Sequence, residues 1–213
     1  MGLARVTVAR WAVAAIAVGT MVVGTVVTGC GNDHKTSSPS SSATSSSAAT
    51  PSNGSGAVTS PSPGQPTDYS SLLIKPSDIG GDFTTPQPPV LNPNNAAGVA
   101  QLFANPDNSR RIGVTILIVA DPTVAAAGIA NTKTNYAGKV SGPWQPVDVG
   151  SNGAMISGNS PDNSQAVTVL LFSEGKALVN IEFDSAPNDP IDPGVATDIG
   201  RKQDAAIKSG LPS

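Results

Sequence analysis

Polar and apolar positions alternate most regularly between Ala166 and Phe183. Ala166 to Phe172 and Ala177 to Phe183 read as a hairpin around Ser173-Glu174-Gly175-Lys176. On the second strand Ala177, Val179, Ile181 and Phe183 share the inward face, while Asn180 and Glu182 point the other way, a period of two. Ile112 to Val119 is apolar on both alternating faces, which predicts a central strand covered on both sides. Val99 to Ala104 predicts a strand before it, joined through the turn residues Asn105-Pro106-Asp107-Asn108. Trp144 to Val149 and Gly153 to Ser157 read as short strands around Gly150-Ser151-Asn152, and Pro161-Asp162-Asn163 as a turn. Thr84 to Asn95, rich in Pro and Asn, reads as a loop, and Tyr69 to Ile74 as a brief helix or extended arm.

The period lengthens twice, each time after Asp-Pro. Asp121-Pro122 and Asp192-Pro193 combine a good N-cap with a proline at the first helical position, where it loses no hydrogen bond. The first helix carries Val124, Gly128 and Ile129 near one face and ends near Gly138. In the second, Val195, Ile199, Ala206 and Ile207 recur at helical spacing until Gly210 and Pro212 stop it. The order of elements predicts an α+β domain: a mostly antiparallel sheet with two main helices packed on it.

The N-terminal third follows a different pattern. Met1 to Arg10 holds Arg5 and Arg10 and no acid, and Trp11 to Val27 is 17 residues without charge. That is the layout of a secretory signal; an uncleaved single-pass anchor is the alternative. In both, the arginines stay inside and the rest is exported. Thr36 to Thr67 is 32 residues, of which 17 are Ser or Thr. It has no charge and one large aliphatic residue, Val58, so it cannot offset chain entropy and reads as a disordered tether. Three parts follow: 1–29 as signal peptide, 30–67 as modified cysteine and tether, and 68–213 as a single α+β envelope domain. The last, 146 residues, is long enough for a real core.

Composition removes several functions. The domain from Asp68 carries nine basic and fourteen acidic residues, a balance of −5, with no basic stripe, which argues against nucleic acid. The only histidine, His34, lies outside the domain, so neither a Ser-His-Asp triad nor a zinc site is expected. No Gly-x-Ser-x-Gly elbow and no phosphate loop occur. Asp184, Asn188, Asp189 and Asp192 cluster without EF-hand spacing and read as a loop plus a cap rather than a calcium site. Glu182 and Asp184 read as solvated carboxylates on an outward face, Arg110-Arg111 as a solvated hairpin shoulder, and Trp144 as a partly buried packing residue. Catalytic residues, metal ligands and cofactors are therefore all expected to be none, and the domain is expected not to be an enzyme.

Cys30 is the single cysteine, and it follows Val27-Thr28-Gly29 at the end of the apolar run. The tetrapeptide Val27-Thr28-Gly29-Cys30 resembles the lipobox of bacterial lipoproteins, which implies acylation of Cys30 and anchoring to the outer face of the cell membrane. With the Ser/Thr/Pro tether, the strand leading into Asp121-Pro122, the Trp144 segment, the hairpin and the C-terminal helix, the chain is similar to exported lipoproteins of mycobacteria and related actinobacteria, of the LpqN/LpqT type. That resemblance implies a PsbP/Mog1-like fold and envelope protein contacts without catalysis. The expectation is a membrane-anchored lipoprotein presenting a non-catalytic interaction domain to an envelope protein. The alternative is a lipid or glycolipid carrier, because aliphatic residues outnumber aromatic ones.

Overall fold

The computed structural model describes residues 67–211. Val27, Thr28, Gly29, Cys30 and the tether therefore lie outside the described residues. Within them the chain forms a seven-stranded, wholly antiparallel sheet with helices on both faces. A 3-10 turn at Ser70–Leu72 and a short helix α1 (Pro76–Ile79) precede the strands. The strands are β1 (Val90–Leu91), β2 (Gly98–Ala104), β3 (Arg111–Ile118), β4 (Gln145–Pro146), β5 (Ser151–Asn159), β6 (Ala166–Glu174) and β7 (Ala177–Ser185). Helix α2 (Pro122–Asn135) lies between β3 and β4, and α3 (Pro193–Gly210) follows β7. Across the sheet the order is β1-β2-β3-β7-β6-β5-β4, so the last long strand inserts between β3 and its hairpin partner β6. No described helix is long and apolar enough to cross a membrane.

Both main helices start as their sequences predict. Asp121 Oδ1 accepts from the backbone N–H groups of Thr123 and Val124, and Asp192 Oδ1 from those of Gly194 and Val195. These bonds satisfy amides that the first turn leaves without partners. The buried faces differ from expectation by one position. Val124 and Val195 are exposed, while Ala125, Ile129 and Thr132 point inward from α2, and Ala196, Ile199, Gln203 and Ile207 from α3. A side chain in the first turn has no preceding turn to pack over, so both valines stand at the solvent side.

The period of two in β7 assigns one helix to each face. Val179, Ile181 and Phe183 join Ile112, Val114 and Ile116 of β3 and Leu170 and Phe172 of β6 beneath α3. Leu178 joins Leu117, Val169, Leu171 and Ile156 beneath α2. The N-terminal arm also belongs to the α3 side. Leu72 and Ile74 are buried there, and Gln203, fully buried, donates to the Leu72 carbonyl (2.6 Å) and accepts from Ile74 N–H (3.2 Å). An extended arm whose backbone bonds are supplied by a glutamine leaves no pattern of its own in sequence.

Coverage of the second face is uneven, and this places the site. Helix α2 packs over β5, β6 and β7. On that face a gap over β2 and β3 is lined by the segment from Gln87 to Ala96 and by Tyr136.

Candidate ligand-binding site

The gap between the end of α2 and this segment is a cavity of about 230 Å³. Its floor is the sheet: Ala100 and Leu102 from β2, Gly113, Thr115 and Leu117 from β3, and Asn180, Glu182 and Asp184 from β7. Tyr136, just past α2, forms one wall. Pro88, Val90, Pro93 and Asn94 form the other.

That second wall is built from turn chemistry. Asn92, Asn94 and Asn95 all adopt positive φ (49°, 55° and 60°), a conformation asparagine tolerates better than most residues. Gln101 Nε2 donates to the Gln87 carbonyl (2.9 Å) and so ties the start of the segment to β2. The pairing of Val90 with Ala100 and Leu91 with Val99 ties its middle.

The floor is kept open by Gly113. A Cβ built at Gly113 meets nothing within 4 Å, although the residue lies inside a strand hydrogen-bonded on both sides. Glycine inside a strand lowers stability by roughly 0.5–1 kcal/mol relative to alanine. Interior glycines of strands mark bulges or places that another group approaches closely. Gly113 keeps regular register with Leu102 and Glu182, so no bulge accounts for it.

The polar end is a directed chain of hydrogen bonds. Asn180 Nδ2 donates to the Tyr136 hydroxyl (2.8 Å), which donates to Glu182 Oε2 (2.6 Å). Burial, and then the charge of Glu182, push the Tyr136 phenol well above its ordinary range, so it remains a donor. Asn180 Oδ1 is buried and has no hydrogen-bond partner. A buried acceptor left unpaired costs on the order of 1–3 kcal/mol, and such atoms in native folds call for an explanation. Replacing Tyr136 with Phe is expected to lower stability by about 1–3 kcal/mol, because it strips a partner from both Asn180 and Glu182. Urea unfolding measures this; an unchanged midpoint would show that the chain of bonds is not formed.

Glu182 and Asp184 correct the expectation of solvated carboxylates. They do point away from the Ile181 face, but that face is roofed, and the Asp184 side chain is only 12% exposed. Burial first, and the neighbouring Glu182 second, push the Asp184 carboxyl up to about 6, against the opposing pull of Arg111. Arg111 Nη2 lies 3.3 Å from Asp184 Oδ2, and Arg110 is bonded to Asp189 at 2.6 Å. Arg110 is thus a solvated ion pair, as the shoulder reading expects, whereas Arg111 departs from it as a largely covered partner of Asp184. Asp192 caps α3, and no group of three or more metal-ligating side chains occurs among the described residues. Trp144 is partly buried, as expected, and packs edge-on against Tyr136 with ring centroids 6.3 Å apart.

The Asp184 shift has a measurable consequence. The unfolded chain releases this proton near 3.8 and the folded one near 6, so the fold favours the protonated form. Its contribution to stability is full below the lower value and is lost as pH rises through the higher. Asp184→Asn, which cannot ionise, should remove a decline of up to about 3 kcal/mol between about pH 4 and 7. Unfolding curves of both proteins across that range test it; parallel profiles would contradict the shift.

Sequence reasoning did not bring these residues together. Tyr136 continues the buried stripe of Ala125, Ile129 and Thr132 one step beyond the helix, and Gly113 interrupts the apolar run of Ile112 to Val119. Those were the available signals. No protein-family model matches the chain, and no curated protein matches it. Among solved structures, the extracellular domain of PknH from Mycobacterium tuberculosis is similar over 68% of this chain and 98% of that one, at 10% identity and a TM-score of 0.46. A likeness of that degree transfers no role.

Proposed function

We propose that this chain is a lipid-anchored protein of the outer membrane face whose domain binds a small ligand, or one side chain of a partner, without catalysis. Gly113 is the observation that carries the binding part. It holds a cavity floor open inside a strand at a cost in stability, and no packing contact repays that cost. The anchoring part rests on Val27-Thr28-Gly29-Cys30 and the tether, in line with the resemblance to LpqN/LpqT-type lipoproteins.

Cavity size favours recognition over lipid carriage. About 230 Å³ lies below the roughly 300–1,000 Å³ of pockets that enclose drug-sized ligands, and two carboxylates line it. The α3 face beneath Phe172 and Leu170 is packed with buried side chains. Neither place offers a chamber large enough to enclose an acyl chain. A non-catalytic role fits the polar end, where a phenol, an amide and two carboxylates lie without a histidine, a thiol or a clustered metal site among the described residues.

The test is to isolate the full chain from its native membrane. Mass spectrometry should show acylated Cys30 as the N-terminus and a small molecule, or a bound partner, released on denaturation. An unmodified thiol on the full-length chain would overturn the anchoring. A cavity shown to be empty and unresponsive to any fragment in a broad binding screen would overturn the recognition reading.

A further inference from the structure

We propose that the cavity recognises a primary ammonium group on a short apolar stem, with the ammonium placed at Glu182 and Asp184. This rests on the recognition reading above and assigns its ligand class.

Three features of the lining converge on such a group. The first is charge. Glu182 and Asp184 both line the cavity, and no lysine or arginine does among the described residues. Arg111, across from Asp184 on the same face of the sheet and 3.3 Å from it, offsets one of the two charges, which leaves the pair of carboxylates net negative. An anion would meet two carboxylates here, whereas a cation is attracted by both.

The second is the kind of hydrogen bond on offer. Carboxylate oxygens accept only. Of the hydroxyls on the lining, that of Tyr136 is already committed as a donor to Glu182, and that of Thr115 lies farther along the floor, across from Asn180. Asn180 Nδ2 is committed to Tyr136 in turn. At the two carboxylates the lining therefore presents acceptors and asks for donors. An ammonium has three donors and no acceptor, which matches.

The third is shape. From the carboxylates the cavity runs over Gly113 towards Ala100, Leu102, Pro88 and Val90. Those residues would cover methylene groups, not a second charge. Two carboxylates alone do not enclose a metal ion in a cage of protein ligands, and no group of three or more metal-ligating side chains occurs among the described residues. An organic cation uses the whole cavity, whereas a bare ion would leave the apolar half empty.

Calorimetric titration of the full chain tests the assignment. The probes are n-butylammonium, n-butanol and butyrate, with Nα-acetyl-lysine-methylamide as a second amine. We expect saturable one-to-one binding of the amines, at least about tenfold weaker binding of butanol, and none of butyrate. Glu182→Gln should weaken amine binding at least about tenfold while still accepting the Tyr136 bond. Asp184→Asn is the second variant, should the first fail to fold.

A pH series adds a readout that a purely structural role would not move. The charged groups facing Asp184 are Glu182 on its own strand and Arg111 on β3, with the Tyr136 phenol beyond. Amine affinity should rise as Asp184 ionises through about pH 6, and Asp184→Asn should flatten that rise.

The two amines separate the sources. Preference for the free amine indicates a small metabolite; preference for the capped lysine indicates a side chain of a partner. Equal binding of all four probes, or amine binding unchanged in Glu182→Gln, would overturn the proposal. So would retention of a neutral or anionic molecule by the membrane-isolated chain, an outcome that leaves the recognition reading standing.

Discussion

Gln203→Leu is expected to lower stability by about 2–5 kcal/mol, although it replaces a polar side chain with an apolar one in a buried position. The reason lies in its two partners. Gln203 supplies both the donor to the Leu72 carbonyl and the acceptor for Ile74 N–H. Leucine would leave two buried backbone groups unpaired, each costing on the order of 1–3 kcal/mol. The loss should be visible locally as faster amide exchange at Ile74. Urea unfolding gives the magnitude. A change under about 1 kcal/mol would mean that water can reach the arm, so that its backbone is not held by Gln203.

Phe172→Ala should cost about 3–5 kcal/mol, the range for emptying a fully buried aromatic position. Phe172 has no exposed surface and lies in the cluster beneath α3 with Met155, Leu170 and Val179. Its ring also lies close to Gly150, where an added Cβ would fall 2.6 Å from Cδ2. The Gly150 backbone therefore approaches the ring closely. Thermal and urea unfolding both measure it. A loss below about 2 kcal/mol would show that this face is loosely packed, and would reopen it as a chamber for lipid.

These two sites show what was legible in the sequence and what was not. The hairpin of β6 and β7, the strand β3 and the two Asp-Pro helix starts were readable because each is a local rule. Alternation assigns a strand's faces, and an Asp-Pro pair satisfies the first amides of a helix. The α+β class followed from their order. What local rules could not give is which face is covered by what. Asn180, Glu182 and Asp184 read as solvated because they alternate with Val179, Ile181 and Phe183. Whether α2 and the Gln87 to Ala96 segment cover them depends on the strand order, with β7 inserted between β3 and β6. The arm at Leu72 to Ile74 was unreadable for a related reason, since its bonding partner lies about 130 positions away on α3. The cavity had one sequence signal, the glycine inside an otherwise continuous apolar strand. It pointed to a close approach without saying of what.

The claim that the space above Gly113 is a working site, not an accident of packing, predicts that stability and binding move in opposite directions there. Gly113→Leu measures both at once, by urea unfolding and by titration with n-butylammonium. Added side-chain atoms enter free space, and the strand loses its most flexible residue. Stability should rise by about 0.5–1 kcal/mol or more while binding disappears. A destabilised variant, or one that binds the amine as the parent does, would contradict the account.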